Sequence, residues 1–310
     1  MNERETLSRI LVIRGGAIGD FILTLPAIKL LRDSFPTAHL ELLGYKHIVA
    51  LAEMSGYANA ARSIEYSGLS SFFSRDRELP PELVEYFGSF QQVVSYLFDP
   101  DRIFAHNLRR AGVRNLITGS PKITDQEHAA RQLARPLERL ALYLHDPAAR
   151  ILPNEPRKPD RSLIAIHPGS GSATKNWPVE RCMEMSRQLL KEDLRLLLVG
   201  GEADEEVMQR MEELLPEDRV ETAKNLPLPV LAKRLQNCAL FIGHDSGISH
   251  LAAAVGTSSL LLFGPTDPAI WAPQNPQVRV LRSPGLTMAG IGLEEVVRAA
   301  YELMRIGIRT

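Results

Sequence analysis

Short apolar runs alternate with segments of helical periodicity along most of this chain. The first pair is the run at residues 10–13, rich in β-branched side chains, and the helical pattern at residues 21–31. Strands that are apolar at consecutive positions are typical of a parallel sheet that is buried on both faces and connected by helices. The pattern therefore predicts an α/β protein built from repeated βα units.

The alternation occurs in two series. In the first series we predict strands at residues 10–13, 40–44, 61–65, 93–98 and 115–118, and helices at 21–31, 47–54, 103–111 and 128–144. In the second we predict strands at 163–167, 194–199, 220–221, 239–242 and 259–263, and helices at 179–191, 203–214, 228–235, 248–255 and 293–305. Residues 67–81 are polar and are predicted to form a loop.

A proline-rich stretch separates the two series. Three prolines within residues 153–159 exclude both a helix and a central strand. We therefore predict two Rossmann-like domains, residues 1–155 and 161–290. Residues 291–310 are predicted to form a C-terminal helix that braces the two domains.

Composition narrows the class of protein. The chain has 310 residues, 45% of them hydrophobic, which suffices for two domains with separate cores. Lys and Arg number 36 against 37 Asp and Glu, so the charge balance does not favour general nucleic-acid binding. The two cysteines, Cys182 and Cys238, lie in apolar elements without zinc-ligand spacing, and we expect buried, reduced thiols of a cytosolic protein. Residues 1–8 are polar, which predicts no signal peptide.

The stretch at residues 241–256 carries the clearest candidate site. An apolar strand leads into the polar turn His244-Asp245-Ser246-Gly247-Ile248, and a helix follows up to Gly256. Asp245 or Ser246 is placed to cap that helix, and the N–H groups of Ser246, Gly247 and Ile248 are placed to bind an anion such as a phosphate. A plain capped turn between a strand and a helix has the same pattern.

Two further strand ends carry related signals. After residue 166, a loop with Gly169 and Ser170 lets the backbone approach a phosphate closely, and Lys175 supplies the countercharge. A flexible connection with an exposed lysine is the alternative. After residue 199, Gly200-Gly201 leaves room for a nucleoside, and an acid in the next turn is placed to bind a ribose. That acid is equally explained as a first-turn residue that stabilises the helix dipole.

Several other sites are not supported. The loop at residues 14–20 has Arg14 where a dinucleotide fingerprint needs its first glycine, and the chain has no Walker A lysine. No Gly-x-Ser-x-Gly elbow accompanies Ser246, which argues against a hydrolase. No Asp-x-Asp pair stands at a strand end, and His244 and His250 are better explained as packed or capping side chains than as metal ligands.

Taken together, five motifs resemble those of family nine glycosyltransferases, the ADP-heptose:lipopolysaccharide heptosyltransferases. They are Arg14-Gly15-Gly16-Ala17-Ile18-Gly19-Asp20 with Leu25-Pro26, His167-Pro168-Gly169 with Lys175-Asn176-Trp177-Pro178, Gly200-Gly201, His244-Asp245-Ser246-Gly247-Ile248-Ser249-His250, and Phe263-Gly264-Pro265-Thr266-Asp267-Pro268. They occur in order across nearly the whole chain. The resemblance implies a GT-B fold, in which two Rossmann-like domains face each other across a cleft and bind the acceptor and the ADP-sugar respectively.

The resemblance also implies roles for individual residues. Asp20 corresponds to the general base, Lys175 to the pyrophosphate-binding lysine and Asp245 to the acid that contacts the donor sugar. The remaining implied contacts are Gly169, Ser170, Ser246, Gly247, Ile248, Glu205 (ribose) and Leu226 (adenine) for the donor, and His128 and Arg131 for the acceptor.

The implied activity is an inverting, metal-independent transfer of heptose or a related sugar to a lipopolysaccharide core or similar glycan, without a cofactor. The expected partners are a nucleotide-sugar donor and a lipid-linked or glycan acceptor, and no nucleic acid. The expected location is the cytoplasm, with peripheral contact at the inner membrane. Two alternatives stay open: a sugar-nucleotide 2-epimerase, for which we identify no acid and base set around C2, and a non-catalytic nucleotide-sugar binder. Retention of Asp20, Lys175 and Asp245 together argues against the binder.

Overall fold

The computed structural model describes residues 8–151 and 157–305 and divides into two compact units, Met1–Pro147 and Ala148–Thr310. Residues 152–156 of the predicted linker lie outside the described residues, as do 1–7 and 306–310. The division falls ahead of the proline-rich stretch because the residues before it already bond within the second unit. The Ile151 N–H donates to the Ala254 carbonyl, and the Asn275 side chain donates to the Ala149 carbonyl, both at 2.8 Å.

The first unit contains a five-stranded parallel sheet in the order β3-β2-β1-β4-β5. Its strands are β1 (Arg9–Arg14), β2 (His39–Gly44), β3 (Ala60–Ser63), β4 (Gln92–Ser95) and β5 (Leu116–Thr118). Its helices are α1 (Ile18–Ser34), α2 (Lys46–Ser55), α3 (Pro81–Gly88), α4 (Ile103–Arg110) and α5 (Ala129–Ala134). Residues 10–13 are fully buried, as expected of a central parallel strand.

Two predictions in the first unit were wrong. The long helix at residues 128–144 is replaced by the six-residue α5 and a 3₁₀ helix, Arg135–Leu140. Pro136 has no backbone N–H and cannot continue the α-helical hydrogen bonds, so the helix ends before it. The predicted loop at 67–81 contains a 3₁₀ helix, Ser67–Phe73, because Leu69 and Phe72 are buried in the core of the unit.

The second unit contains a six-stranded parallel sheet in the order β11-β10-β9-β6-β7-β8. Its strands are β6 (Asp160–Ile166), β7 (Arg195–Gly200), β8 (Val220–Lys224), β9 (Cys238–His244), β10 (Ser258–Phe263) and β11 (Val278–Arg282). Its helices are α6 (Val179–Leu190), α7 (Glu205–Leu214), α8 (Leu228–Gln236), α9 (Gly247–Ala254), α10 (Pro268–Trp271) and α11 (Leu293–Met304).

Strand β11 and helix α3 were not predicted. Strand β11 is an edge strand in which arginines alternate with valines, so it lacks the continuous apolar run of the central strands. Helix α11 packs on α6, and its Val296 and Ala300 belong to the core of the second unit. Its predicted role as a brace stays a prediction. Cys182 and Cys238 are buried and unpaired, and burial raises the pKa of each thiol to about 12.

Both sheets reverse their strand order at one place. In the first unit the chain builds outward from β1 to one side and resumes with β4 on the other, and in the second unit β6 and β9 have the same relation. In open parallel sheets the loops diverge at such a reversal, and ligands bind there, beyond the carboxyl ends of the strands. Among the described residues, no helix is long and apolar enough to cross a membrane.

One arginine holds several carbonyl groups of the second unit. The guanidinium of Arg157 donates to the carbonyls of Gln236, Gly256 and Cys238 at 2.8, 2.9 and 3.0 Å. Burial lowers its pKa from the ordinary value. These carbonyls end α8, start β9 and follow α9, so one side chain joins three elements.

We predict that Arg157→Met lowers the free energy of unfolding of the second unit by about 2–4 kcal/mol, because charged hydrogen bonds to three carbonyls are lost. Urea unfolding followed by circular dichroism measures this. The control is Arg161→Met, which changes an exposed arginine on the same segment and should leave the transition within about 0.5 kcal/mol. Equal effects of the two variants would contradict the prediction.

Candidate functional site

Polar side chains gather where the second sheet reverses its order. His167 follows β6, Asp245 and Ser246 follow β9, and Asp204 follows β7. All four are buried, between 4 and 8% exposed. Because β6 is paired with both β7 and β9, these loops leave the sheet side by side. The site is therefore built by three neighbouring strand ends.

Lys175 and Asp245 form an ion pair at this place. The Lys175 Nζ donates to Asp245 Oδ2 at 2.7 Å, although the two residues are 70 positions apart. The lysine side chain is 30% exposed and the carboxylate 9% exposed. Lys175 closes a one-turn 3₁₀ helix, Ala173–Lys175, which positions its side chain at the start of α9. The structure thus brings together two residues that the sequence predicted as donor contacts.

The first turn of α9 presents backbone N–H groups. Ser246 is the N-cap, and its Oγ accepts the Ser249 N–H at 3.2 Å. Gly247 and Ile248 begin the helix and are half-buried. The first N–H groups of a helix have no intrahelical acceptor, and together with the helix dipole they favour a bound anion. With Lys175 nearby, this turn is suited to a phosphate or diphosphate.

His167 connects the other two strand ends. Its Nδ1 lies 3.2 Å from Ser246 Oγ and its Nε2 lies 3.3 Å from Asp204 Oδ2. The same Oδ2 accepts the Gly201 N–H at 3.0 Å. Burial acts to raise the pKa of Asp204, but the hydrogen bonds from His167 and Gly201 outweigh it and the net pKa is lowered. Asp204 is therefore a buried carboxylate that stays ionised at neutral pH.

Gly169 is required by the packing of Asp204. A Cβ at position 169 would lie 1.5 Å from Asp204 Oδ1, so no larger residue fits without moving that carboxylate. Ser170, the next predicted donor contact, donates through Oγ to the Ser172 carbonyl at 2.9 Å and shapes its own loop. Gly169 and Ser170 thus lie at the site as predicted, but their contacts in this structure are with the loop itself and with Asp204.

His244 is a neutral imidazole locked in one tautomer. Its Nε2 accepts the Trp177 N–H at 3.1 Å, so Nδ1 carries the proton and faces the Gly169 carbonyl at 3.2 Å. Complete burial lowers the pKa of His244 to about 4. Among the described residues, no group of three or more His, Cys, Asp or Glu is placed to hold a metal ion.

The predicted nucleoside contacts lie farther out on the same edge. Glu205 is exposed at the first position of α7, and Leu226 is half-buried in the loop between β8 and α8. The acid that turns inward is the neighbouring Asp204, which the sequence analysis did not single out. The spacing in the sequence could have identified Asp204, because an acid three residues after Gly201 is placed to accept the Gly201 N–H.

In the first unit, Asp20 is held at the start of α1. Its Oδ2 accepts the Ala17 N–H at 3.0 Å, and its Oδ1 lies 3.5 Å from Nη2 of the buried Arg14. Arg14 Nε donates to Thr24 Oγ1 at 3.0 Å, and Thr24 donates back to the Asp20 carbonyl at 2.7 Å. Burial lowers the pKa of Arg14, and the Asp20 carboxylate opposes that shift. The Asp20 side chain remains 35% exposed.

A glycine makes this arrangement of Asp20 possible. Gly16 has φ +100°, and a Cβ there would lie 2.8 Å from Asp20 Oδ2. The loop that follows β1 therefore closes against a carboxylate, and not around an open phosphate. Sequence reasoning singled out Asp20 but not Arg14 or Thr24, whose contacts depend on the packing of β1 against α1.

The two predicted acceptor residues both bond within the first unit. His128 is the N-cap of α5, and its Nδ1 accepts the Ala130 N–H at 3.2 Å. Arg131 is exposed and donates to the carbonyls of Leu144 and His145 at 3.2 and 3.3 Å. Helix α5 packs against α1, the helix that carries Asp20.

A family model described as glycosyltransferase family 9 (heptosyltransferase) matches residues 119–290, more than half of the chain. The matched region contains every site residue of the second unit described above. It also contains His128 and Arg131 but not Asp20.

Among curated proteins, lipooligosaccharide heptosyltransferase 2 of Haemophilus influenzae is 29% identical over 128 residues, or 40% of this chain and 37% of that protein. The match therefore spans well under half the length of this curated relative.

Two solved structures are similar over nearly the whole chain. The glycosyl transferase family 9 structure from Veillonella parvula has a TM-score of 0.77 at 20% identity and covers 97% of this chain and 99% of that chain. The structure of E. coli heptosyltransferase WaaC with ADP-2-deoxy-2-fluoro heptose has a TM-score of 0.72 at 19% identity. The match covers 95% of this chain and 99% of that chain. These likenesses confirm the predicted α/β fold of GT-B type with two parallel sheets.

We predict that His244 makes stability fall with acidity. In the unfolded chain its pKa returns to about 6.5, so the unfolded state binds more protons than the folded state between about pH 6.5 and pH 4. The His244 contribution is fully present above pH 6.5 and is reduced by about 3 kcal/mol as the pH falls to 4. Urea unfolding across this range should show a flatter pH dependence for His244→Asn than for the wild type. His39→Gln, at an exposed site, is the control, and an unchanged slope in His244→Asn would contradict the prediction.

Proposed function

This chain belongs to glycosyltransferase family 9, the heptosyltransferase family, and we propose that it transfers a heptose or related sugar from an ADP-sugar to a lipopolysaccharide core or similar glycan. Two named relatives support the proposal. The Haemophilus influenzae relative is a lipooligosaccharide heptosyltransferase, and the E. coli structure holds an ADP-heptose analogue.

The observation that carries the proposal is the contact between Lys175 and Asp245 at the start of α9. The family resemblance assigns Lys175 to the diphosphate and Asp245 to the sugar, which are two parts of one donor. A sugar diphosphate joins those two parts by a single bond, so its binding residues must lie within a few ångströms of each other. The 2.7 Å contact meets that requirement.

In the proposed donor complex the diphosphate binds the N–H groups of Ser246, Gly247 and Ile248. Lys175 supplies the countercharge that a metal supplies in many nucleotide-sugar enzymes. Asp245 then contacts the sugar, while Glu205 and Leu226 face the ribose and the adenine. We therefore propose that transfer needs no metal and no cofactor, and that it persists in EDTA.

Asp20 is the proposed general base. An inverting transfer needs a carboxylate that takes the proton of the acceptor hydroxyl as that oxygen attacks the anomeric carbon. Asp20 meets two requirements of this role: its side chain is accessible, and its position is fixed by the Ala17 N–H and Arg14. ADP is the leaving group, and its bond to the anomeric carbon breaks on the face of the sugar opposite the attacking oxygen.

For the acceptor we propose contacts from His128 and Arg131. Arg131 is exposed, and its hydrogen bonds to the Leu144 and His145 carbonyls leave part of the five-donor guanidinium for a carboxylate or phosphate of the glycan. A lipid-linked acceptor would bring the protein to the cytoplasmic face of the inner membrane as a peripheral partner.

We predict that the protein binds ADP more tightly than UDP or GDP, and that Lys175→Met weakens ADP binding about 10- to 100-fold, because one charged hydrogen bond to a phosphate is lost. Isothermal titration calorimetry measures both effects. The control is Lys191→Met, at an exposed lysine after α6. Failure of all three nucleotides to bind would contradict the proposed function.

We predict that Asp20→Asn lowers kcat about 10²- to 10⁴-fold, the usual contribution of a general base, and leaves ADP affinity unchanged. The amide oxygen still accepts the Ala17 N–H, so α1 should keep its start. Transfer is measured as ADP release with a lipopolysaccharide core acceptor. Asp33→Asn, on the exposed end of the same helix, is the matched control. Full activity of Asp20→Asn would assign the base to another group.

A further inference from the structure

Five polar contacts run in a chain behind the first turn of α9. Asp204 Oδ2 contacts His167 Nε2 at 3.3 Å, and His167 Nδ1 contacts Ser246 Oγ at 3.2 Å. Ser246 Oγ lies 3.1 Å from Ser249 Oγ and accepts the Ser249 N–H at 3.2 Å. Ser249 Oγ donates to the His244 carbonyl. Each contact needs one proton between its two atoms, so the protons can be counted.

The count is incomplete when His167 is neutral. The Asp204 carboxylate takes the proton on Nε2, so Nδ1 accepts the hydroxyl proton of Ser246. The hydroxyl proton of Ser249 is already used on the His244 carbonyl. The contact between the oxygens of Ser246 and Ser249 then contains no proton and is unfavourable.

The count is complete when His167 is protonated. An imidazolium donates from Nε2 to Asp204 and from Nδ1 to Ser246 Oγ. The Ser246 hydroxyl is then released and rotates to donate to Ser249 Oγ, while Ser246 Oγ still accepts the Ser249 N–H. One added proton satisfies every contact in the chain. It also places a positive charge one hydrogen bond behind the turn that faces the anion.

The surrounding charges decide which histidine carries this proton. His244, at the end of β9, is kept neutral by its burial, and the Trp177 N–H on its Nε2 fixes its tautomer. Asp204 is the acid that faces His167, and it is buried with it. Asp245, next to Ser246, is already paired with Lys175. A diphosphate at the turn adds negative charge, to which Lys175 is the countercharge on the exposed side and a His167 imidazolium is the countercharge from behind the turn.

We propose that His167 is a positioning residue that takes up a proton at Nδ1 when the donor diphosphate binds, and that Asp204 holds it for this purpose. The proton comes from solvent, and the Ser246 hydroxyl turns from His167 to Ser249 as it arrives. The imidazolium fixes the cap of α9 and stabilises the charge of the bound or departing ADP. This inference rests on the proposed function.

The first test measures protons taken up with ADP. Calorimetry at one pH in buffers of different ionisation enthalpy gives the number of protons bound per ADP. Wild type should take up a fraction of a proton more per ADP than His167→Gln and Asp204→Asn. Protonation of the ADP phosphate itself contributes equally to all three proteins and cancels in this comparison. From about pH 8 to about pH 6, the affinity of wild type should rise about tenfold relative to both variants. The control is His39→Gln, which changes the first residue of β2 in the first unit and should behave as wild type.

The second test reads the histidine directly and needs only folded wild type for its main result. In protein labelled with ¹⁵N-histidine, the ring-nitrogen shifts report which nitrogens carry protons. The His167 signals are assigned by their loss in His167→Gln or their change in Asp204→Asn. The fraction of His167 that is protonated at both nitrogens should be larger with ADP bound than without it.

The outcomes separate the two proposals. If ADP binds but wild type and both variants take up equal protons, or if His167 stays neutral with ADP bound, the inference on His167 is overturned and the proposed function stands. If no nucleotide binds to wild type, the proposed function fails and the inference fails with it. A purely structural His167 would lower the melting temperature of its variants without changing the proton count.

Discussion

The second unit depends on one constraint: buried charged and polar groups at the reversal of its sheet must find partners within the loops that leave the sheet there. Burial removes water from Asp204, His167 and Ser246, and each would be costly if unpaired. The bonds that satisfy them run across the ends of β7, β6 and β9. The same bonds therefore fix the three loops relative to each other and give the first turn of α9 a defined position.

This constraint explains residues that have no chemistry of their own. Gly169 must be glycine because the Asp204 carboxylate occupies the space of a side chain. Trp177 contributes its backbone N–H to fix the tautomer of His244, and its indole donates to the Ile291 carbonyl at 3.1 Å. Both imidazoles of this site are buried, but the Nε2 of His244 accepts an N–H whereas the Nε2 of His167 faces a carboxylate. Their different partners distinguish their roles.

The first unit solves a similar problem with a different result. Its loop after β1 is closed by the Asp20 side chain, which accepts the Ala17 N–H that a phosphate would otherwise use. The buried Arg14 faces that carboxylate, and Thr24 bonds to both the arginine and the backbone of Asp20. At the reversal of strand order, the first unit thus has an accessible carboxylate after β1 and the second unit has N–H donors after β9. In the proposed transfer, the carboxylate activates the nucleophile and the N–H groups bind the leaving group.

The sequence by itself determined the two series of βα units and the polar, glycine-bearing turns on which Lys175, Asp245 and Ser246 lie, whereas it pointed to Asp20 only through the resemblance to the family. The βα units and the turns follow from local patterns: continuous apolar runs, glycine-bearing turns and caps, which need no knowledge of strand order. It did not determine α3, β11 or the shortened α5. Their signals are weak because an edge strand mixes charge with apolar residues and a single proline ends a helix that periodicity alone would continue.

Only the tertiary structure decided that Asp204, and not Glu205, turns inward, that His167 joins it to Ser246, and that Lys175 meets Asp245. These contacts join residues 37, 79 and 70 positions apart. They exist because β6 pairs with both β7 and β9, and no local pattern of side chains specifies which strands become neighbours. The physical reason is that a strand's sequence sets its burial, whereas its partners are set by the packing of the whole unit.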